Sequence, residues 1–221
     1  MGNGKRRAIN GVRRASSPFG DPRSGRSRPG LFIVLEGIDG AGKSEQIGRL
    51  AAWLREAGET VVATCEPTDG IWGRRYREWA RGGSEASVDE VLRFFVEDRR
   101  EHVRDVIQPA LSRGDVLVCD RYAASTLAYQ AAQGIERARL RAIFDAEDFP
   151  QPDLELWLRI PVASALARLG ERASERFERA AFLERVDAEY ARLGLTEVDA
   201  TGTPDEVEGA IRARVERLLG D

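Results

Sequence analysis

LFIVLEGIDGAGKS, residues 31–44, places an apolar run directly before a glycine-rich loop. Residues 37–44 fit the pattern G-x-x-x-x-G-K-[ST] at every fixed position. The run Leu31–Leu35 is rich in branched side chains and predicts a buried parallel strand. After the loop, four apolar residues follow the spacing of one helix face: Ile47, Leu50, Ala51 and Leu54. A strand, a glycine loop and a helix in this order predict a phosphate-binding loop.

Such a loop binds anions through backbone N–H groups at a helix N-terminus. In the motif, the lysine reaches the β- and γ-phosphates and the hydroxyl ligates Mg²⁺. The chain has 34 basic residues, and Lys43 is the only lysine after Lys5. Coding bias explains the arginine excess, and a turn without a ligand is the alternative for the loop. We predict that ATP binds at Gly37, Gly40, Ala41, Gly42, Lys43 and Ser44.

The first thirty residues differ in composition from the rest of the chain. Residues 1–30 carry eight basic residues and one acid, a net charge of 8 − 1 = +7, which leaves −3 − 7 = −10 for residues 31–221. We predict a disordered basic leader over 1–30 and one P-loop domain over 31–221. A wrongly assigned start codon and a weak nucleic-acid contact remain open for the leader, and no specific nucleic-acid partner is predicted.

Hydropathy and cysteine usage bear on the compartment. The sequence has no run of about 18 apolar residues that would predict a membrane span. Cys65 and Cys119 end apolar runs and lack metal-ligand spacing, which predicts buried free thiols in a reducing, cytoplasmic setting. A single histidine, His102, speaks against a histidine-rich metal site.

Strands and helices alternate along the chain. This order predicts an α/β fold of the P-loop NTPase type, a three-layer α/β/α arrangement around a five-stranded parallel sheet. The predicted strands are Leu31–Leu35, Thr60–Thr64, Val116–Cys119, Leu154–Ile160 and Leu195–Asp199. Further helices are predicted over Ala123–Ala132, Arg137–Phe144, Pro161–Leu169 and Arg179–Leu193, and after Thr203. Ligands of such sheets bind beyond the carboxyl ends of the strands.

One predicted helix carries a charge on its apolar face. A capping box at Ser87 opens the helix, which is predicted to run to about Leu111, with Pro109 marking the region of its end. Its stripe is Val88, Leu92, Phe95, Val103, Val106 and Ala110, and Arg99 falls on it. Phe95 and Arg99 could offer an aromatic plane and a forked donor to a base. A snorkelling arginine, or one paired with a structural acid, is the alternative.

Two further segments could act on phosphates. Asp120 follows a core strand, where P-loop proteins place the acid that holds Mg²⁺, and Arg121 could grip a phosphate. An ordinary helix cap is the alternative for Asp120. Residues 170–179, an arginine-rich stretch between helices, predict a lid in which Arg172 and Arg176 meet the γ-phosphate. A solvated linker is the alternative.

These residues resemble the thymidylate kinase family. The matching pieces, in order, are residues 35–44, Glu66-Pro67, residues 95–99, residues 120–130, residues 152–154, residues 175–178 and residues 198–200. The resemblance implies ATP-dependent phosphorylation of dTMP to dTDP with Mg²⁺, and a homodimer. It places Phe95 on the thymine and Arg99 on the base edge or the acceptor phosphate. For the acceptor, it places Asp39 and Arg121 on that phosphate, Tyr129 near the deoxyribose, and Glu66 and Thr126 elsewhere at the substrate. It places Ser44 and Asp120 at the metal. The residues that it implies for catalysis are Lys43, Asp39, Arg121, Arg172 and Arg176.

The chain departs from the family pattern at several positions. Some members carry the catalytic arginine inside the loop, where this chain has Gly40, so the lid must supply it. Cys65 replaces the usual arginine before Glu66, and Arg74 or Arg75 could restore the charge. Two smaller departures are Thr126, where Asn or Ser is usual, and Arg159, where Asp is usual.

Acceptor specificity is therefore the open point of the sequence. The alternatives to dTMP are another pyrimidine nucleotide, a deoxynucleoside, or an inactive nucleotide-binding homologue. A GTP-dependent switch is disfavoured, because no lysine remains for an N-K-x-D segment.

Overall fold

A computed structural model describes residues 29–169 and 180–220. The predicted lid, with Arg172 and Arg176, lies outside the described residues, as do residues 1–28 of the predicted leader. Within the described ranges, every helix is too short or too polar to cross a bilayer.

The core of the fold is a five-stranded sheet in which every neighbouring pair is parallel. Its strands are β1 (Leu31–Glu36), β2 (Val61–Cys65), β3 (Val116–Asp120), β4 (Leu154–Arg159) and β5 (Thr196–Asp199). Their order across the sheet is β2-β3-β1-β4-β5. The predicted sheet is confirmed, and each observed strand boundary lies within one residue of the predicted one.

Helices cover both faces of this sheet. They are α1 (Lys43–Glu56), α2 (Ile71–Ala80), α3 (Val88–His102), α4 (Gln108–Ser112), α5 (Ala123–Ala132), α6 (Arg137–Asp145), α7 (Val162–Leu169), α8 (Ala180–Tyr190) and α9 (Pro204–Gly220). Successive residues of a strand point to opposite faces, so Ile33 and Leu35 join one core cluster and Phe32 and Val34 the other. Two apolar cores on one sheet confirm the three-layer arrangement.

The sequence prediction missed α2. Its ten residues contain Trp72, Tyr76 and Trp79 at i, i+4 and i+7, an aromatic stripe that could have indicated the helix. Trp79 is buried, and the Tyr76 ring lies 4.6 Å from that of Phe95 on α3. This helix therefore forms one wall of the region around Phe95.

The long helix contains a local change of winding. The capping box at Ser87 is present, but a π-helical turn, Val103–Ile107, separates α3 from α4. A π turn has one more residue per repeat than an α-helical turn. The next buried residue after His102 is therefore Ile107, five positions on, and Val106 is only half-buried. The predicted stripe is wrong at Val88, which is 41% exposed. Pro109 lies near the start of α4, and the helix continues to Ser112.

The order of the strands places the candidate site. β1 pairs with β3 on one side and with β4 on the other, so the connections from β1 and β3 leave the sheet in opposite directions. Leu35 is in register with Asp120, and Cys65 of β2 is in register with Asp120 from the other side. The glycine loop, Asp120 and Glu66 therefore start from one edge of the sheet.

Candidate functional site

The glycine loop fits tightly against α7. Gly40 has φ +84°, and a Cβ added there would overlap the backbone oxygen of Ala165. Gly42 has φ +90° and forms the N-cap of α1. Both backbone conformations favour glycine, and the close approach of α7 leaves Gly40 no room for a side chain.

Lys43 is buried at the start of α1, and its Nζ donates a hydrogen bond to the carbonyl oxygen of Ile38 at 3.0 Å. Burial and the nearby Arg121 charge lower the pKa of Lys43, and the carboxylates of Asp120 and Asp39 oppose this shift. An ammonium between a cation and two carboxylates is set up to exchange partners with an incoming phosphate.

Two oxygen groups meet beside Lys43. The Ser44 hydroxyl donates to Oδ2 of Asp120 at 2.9 Å, while Oδ1 of Asp120 is buried and has no partner among the described residues. Hydroxyl and carboxylate oxygens suit Mg²⁺, which usually takes few protein ligands and completes its shell with phosphates and water. No cluster of three or more acidic, histidine or cysteine ligands occurs in the part of the chain described. The residues therefore fit a metal held jointly with a nucleotide.

Two cavities open at this edge of the sheet. The larger, about 790 Å³, is lined by the loop from Asp39 to Gln46, by Arg168 and Leu169, and by the segment 200–207. The smaller, about 210 Å³, is lined by residues of α2, α3 and α5. Asp39, Glu66 and Arg121 line both cavities. The two spaces therefore meet at a pair of carboxylates and one guanidinium.

Arg121 is held at this junction by its own backbone and by its partners. It is the only non-glycine residue with positive φ (67°) among the described residues, and its N–H donates to Leu35. Its guanidinium bonds the Asp39 carboxylate and reaches Ser125 Oγ at 3.1 Å and Tyr129 Oη at 3.3 Å. Ser125 and Tyr129 lie four residues apart on α5 and share a helix face.

The charge of Asp39 depends on this arrangement. Burial alone would raise the pKa of Asp39, but the charges of Arg121 and Lys43 outweigh it and lower that pKa below its usual value. Asp39 is therefore ionised at neutral pH, and the junction holds a fixed negative charge against a fixed positive one.

Glu36 anchors the start of α5. Its carboxylate accepts from the backbone N–H groups of Tyr122 (2.8 Å) and Ser125 (3.2 Å) and from the hydroxyls of Ser125 and Tyr190. Burial raises the pKa of Glu36 despite these hydrogen bonds. Tyr190 lies at the end of α8, so α8 is tied to the segment that carries Arg121.

The smaller cavity combines aromatic walls with a buried cation. Phe95 and Tyr76 stand on one side of it, and Arg99 forms part of its lining. Arg99 is 1% exposed and is bonded to Glu66 and to Thr126 Oγ1, at 3.0 Å from the latter. Its guanidinium also lies 4.7 Å from the centre of the Tyr122 ring. Arg99 is thus paired with an acid and still lines the cavity.

Comparison with known proteins agrees with this geometry. A family model described as thymidylate kinase matches residues 35–211. The chain belongs to the thymidylate kinase family. The thymidylate kinase of Akkermansia muciniphila is 43% identical over 198 residues, covering 88% of this chain and 95% of that protein. The thymidylate kinase of Desulfotalea psychrophila is 39% identical over 201 residues (87% and 98%), and that of Xanthomonas campestris pv. campestris 43% over 198 (87% and 86%).

In this thymidylate kinase family member, the site residues expected from the sequence gather around the two cavities. Gly40, Ala41, Gly42, Lys43, Ser44 and Asp120 line the larger, and Phe95, Arg99, Thr126 and Tyr129 the smaller. Asp39, Glu66 and Arg121 belong to both. Gly37 starts the loop but lines neither cavity.

Two expectations at the edge of the site are wrong. Cys65 is exposed and lines the larger cavity, although Cys119 is buried as predicted. Neither Arg74 nor Arg75 lines either cavity: Arg74 bonds the Asp69 carbonyl oxygen, and Arg75 lies over the Trp72 ring. The wrong choice followed from missing α2, which turns a different arginine towards the site.

That arginine is Arg77. It lines the smaller cavity and donates to the carbonyl oxygens of Pro67 (3.1 Å) and Thr68 (2.6 Å). Sequence reasoning also missed Tyr76, Arg168 and Gln130. Arg168 donates to Ala200 at the larger cavity. Gln130 is fully buried, and neither end of its amide has a partner among the described residues.

Proposed function

We propose that the chain transfers the γ-phosphoryl group of ATP to dTMP, giving ADP and dTDP. The observation that carries this proposal is the meeting of two cavities at Asp39, Glu66 and Arg121. A larger space that begins at a phosphate-binding loop suits the donor, and a smaller aromatic space suits a nucleoside monophosphate. Their junction is where the two phosphates would face one another.

On the donor side, the loop amides and Lys43 would bind the β- and γ-phosphates of ATP. Ser44 and Asp120 would hold Mg²⁺, which when bound neutralises charge on the phosphate oxygens. Arg168 and residues 200–207 border the same cavity and would contact the remainder of the nucleotide. The segment containing Arg172 and Arg176 would supply the cation that meets the γ-phosphoryl group.

On the acceptor side, the attacking atom is an oxygen of the dTMP phosphate, which is already ionised at neutral pH. The protein must therefore position this oxygen and reduce the repulsion between the two phosphates. Arg121 would bind the acceptor phosphate, and its ion pair with Asp39 would hold the guanidinium in position. The hydrogen bonds from Arg121 to Ser125 and Tyr129 favour this one rotamer of the Arg121 side chain over the others.

The base would lie between the aromatic wall of the smaller cavity and α5. Nε and Nη2 of Arg99 are occupied by Glu66 and Thr126, and Nη1 has no partner among the described residues. Because Nη1 is buried within the protein, a pyrimidine carbonyl would approach the part of the Arg99 guanidinium that lines the smaller cavity. We also propose that the protein acts in the cytoplasm as a homodimer.

A coupled assay of ATP consumption tests the proposal against its alternatives. The panel contains dTMP, dUMP, UMP, CMP, AMP and thymidine, each with ATP and Mg²⁺. We expect the highest kcat/KM with dTMP and no turnover with thymidine, because Arg121 at the junction matches an acceptor phosphate. A higher kcat/KM with another pyrimidine nucleotide would establish the runner-up specificity, and no turnover with any acceptor would contradict the kinase assignment.

Phe95→Ala is expected to weaken dTMP binding by about 1–3 kcal/mol, the usual loss when a base loses an aromatic stacking partner. The affinity for ATP should hardly change, because Phe95 lines only the smaller cavity. Isothermal calorimetry with each nucleotide checks this. Phe94→Ala is the matched control: Phe94 packs against Trp72 and lines neither cavity. An equal loss of ATP affinity in Phe95→Ala would identify the ring as part of the core only.

A further inference from the structure

Four side chains form a closed group beside the smaller cavity: Thr64 and Glu66 from the β2 region, and Arg99 and His102 from α3. Alternate residues of an extended segment share a face, and residues i and i+3 of a helix share a face, so the two pairs meet. The side chain of Glu66 is 4% exposed, and those of Arg99 and His102 are each 1% exposed. We call this group the β2–α3 cluster.

Hydrogen bonds run through the β2–α3 cluster in a defined order. Oε2 of Glu66 accepts from Nε (2.9 Å) and Nη2 (2.6 Å) of Arg99. Oε1 of Glu66 lies 2.9 Å from Nδ1 of His102. Nε2 of the same ring lies 2.7 Å from the hydroxyl oxygen of Thr64. Each carboxylate oxygen of Glu66 therefore has its own partner.

The protonation of Glu66 fixes the direction of these bonds. Burial would raise the pKa of Glu66, but the Arg99 charge and the His102 hydrogen bond outweigh it and lower that pKa. An ionised carboxylate can only accept, so Nδ1 of His102 carries a proton and donates it. In the neutral ring, Nε2 is then an acceptor for the Thr64 hydroxyl. In its neutral form the ring is therefore held in one tautomer and one orientation.

Arg99 connects this cluster to the acceptor. Burying an ion pair costs desolvation, so the Glu66–Arg99 pair adds little to stability compared with apolar packing. It does fix the plane of the guanidinium, because Nε and Nη2 are both directed to Glu66, and Arg99 lines the smaller cavity in that orientation. A carboxylate free to rotate would leave the guanidinium without a fixed orientation at the cavity.

We propose that His102, oriented by Thr64, is a positioning residue for the acceptor nucleotide: it fixes Glu66, and Glu66 fixes the Arg99 guanidinium against the base. This inference rests on the proposed function. The winding of the helix agrees with it, because the π turn begins directly after His102. The ring can therefore face β2 while the following residues return to the core at Ile107.

Two amide substitutions separate the roles of the two ring nitrogens. In His102→Asn the new amide nitrogen occupies about the position of Nδ1, so this variant keeps a donor for Glu66. The longer side chain of His102→Gln reaches the position of Nε2 and keeps only the contact with Thr64. Steady-state kinetics with dTMP and ATP varied separately, calorimetric Kd values and thermal midpoints are measured for both variants and for Thr64→Val.

We expect His102→Gln to raise KM and Kd for dTMP about 10-fold, the effect of losing one hydrogen bond to a charged group. The values for ATP should stay within about 2-fold, and kcat should change little, because the base contact is the same before and during transfer. His102→Asn should restore most of the dTMP affinity. Thr64→Val should raise KM for dTMP about 3-fold, and it decides the matter if His102→Gln does not fold.

Three results would overturn the proposal: an unchanged dTMP KM in the folded variants, an equal loss in His102→Asn and His102→Gln, or a parallel rise of the ATP KM. A purely structural role would lower the thermal midpoint without separating the two substrates. Failure of the proposed function looks different, because the wild-type protein would then not phosphorylate dTMP at all. If the wild type prefers another monophosphate, the same comparison is made with that acceptor.

Discussion

Lys43→Ala is expected to lower kcat by at least about 10²–10³-fold, the usual cost of removing one charge-stabilising donor from a phosphoryl or acyl transfer site. The Lys43 ammonium is buried, and Ile38 supplies its one bond to the protein described here. Its other donors remain for the nucleotide. Two other cations line the same cavity as Lys43, but Arg168 is bonded to Ala200 and Arg121 to Asp39. Neither can therefore take the place of the Lys43 ammonium.

The fold of the Lys43→Ala variant should persist. Burial and the Arg121 charge act against the charged form of Lys43, as its lowered pKa indicates, so removing the charge does not weaken the folded state electrostatically. Circular dichroism and the thermal midpoint check this point. Lys43→Arg is the matched variant: it restores the charge, but a planar, forked guanidinium does not reproduce a compact ammonium with three rotatable donors, and we expect equally low turnover. Turnover near that of the wild type in either folded variant would contradict the phosphate-loop assignment.

The sequence predicted the sheet and the donor side well because both follow from local signals. The apolar run of β1 and the glycine pattern after it identify the loop without any tertiary information. Asp120 could be placed at the same edge, because the carboxyl ends of parallel strands meet there. The structure adds the register that brings Leu35 and Asp120 together.

The acceptor side could be predicted only in part. Phe95 and Arg99 were visible because a charge interrupts an apolar stripe, but the partner of Arg99 was not, since Glu66 lies 33 residues away. His102 was noted only as a lone histidine. Its contacts depend on the side-by-side placement of β2 and α3, and no spacing within the sequence encodes that placement.

The edge of the site was predicted least well. Arg74, Arg75 and Arg77 lie within one turn of α2, and their spacing alone does not show which of them faces the cavity. The orientation follows from the packing of the α2 aromatic residues against α3, where Tyr76 meets Phe95. Cys65 was expected to be buried because it ends an apolar strand, but it stands at the open edge where the cavity begins.

The geometry of the loop bears directly on the source of the catalytic arginine. Some thymidylate kinases carry this arginine at the position of Gly40. In this chain a Cβ at that position would overlap the Ala165 backbone oxygen, so an arginine would require α7 to move. Leu169, at the end of α7, lines the larger cavity. The last described residue before 170–179 therefore lies at the edge of the larger cavity.

Replacing both Arg172 and Arg176 with Ala is accordingly expected to lower kcat by at least about 10²-fold, by analogy with arginine fingers, which contribute about 10³–10⁵ in turnover. Dissociation constants for ATP and dTMP should move only a few-fold, because a cation that engages mainly in the transition state contributes little to ground-state binding. Single substitutions separate the contributions of the two arginines, and we expect the larger loss from Arg176→Ala, since Arg176 lies in the matching E-R-F-E segment.

Arg141→Ala is the control, because Arg141 is exposed on α6 and lies outside both cavities. If the double variant kept the turnover of the wild type, residues 170–179 would be a solvated linker. The cation would then have to come from Arg121, which already stands at the junction, or from Arg77.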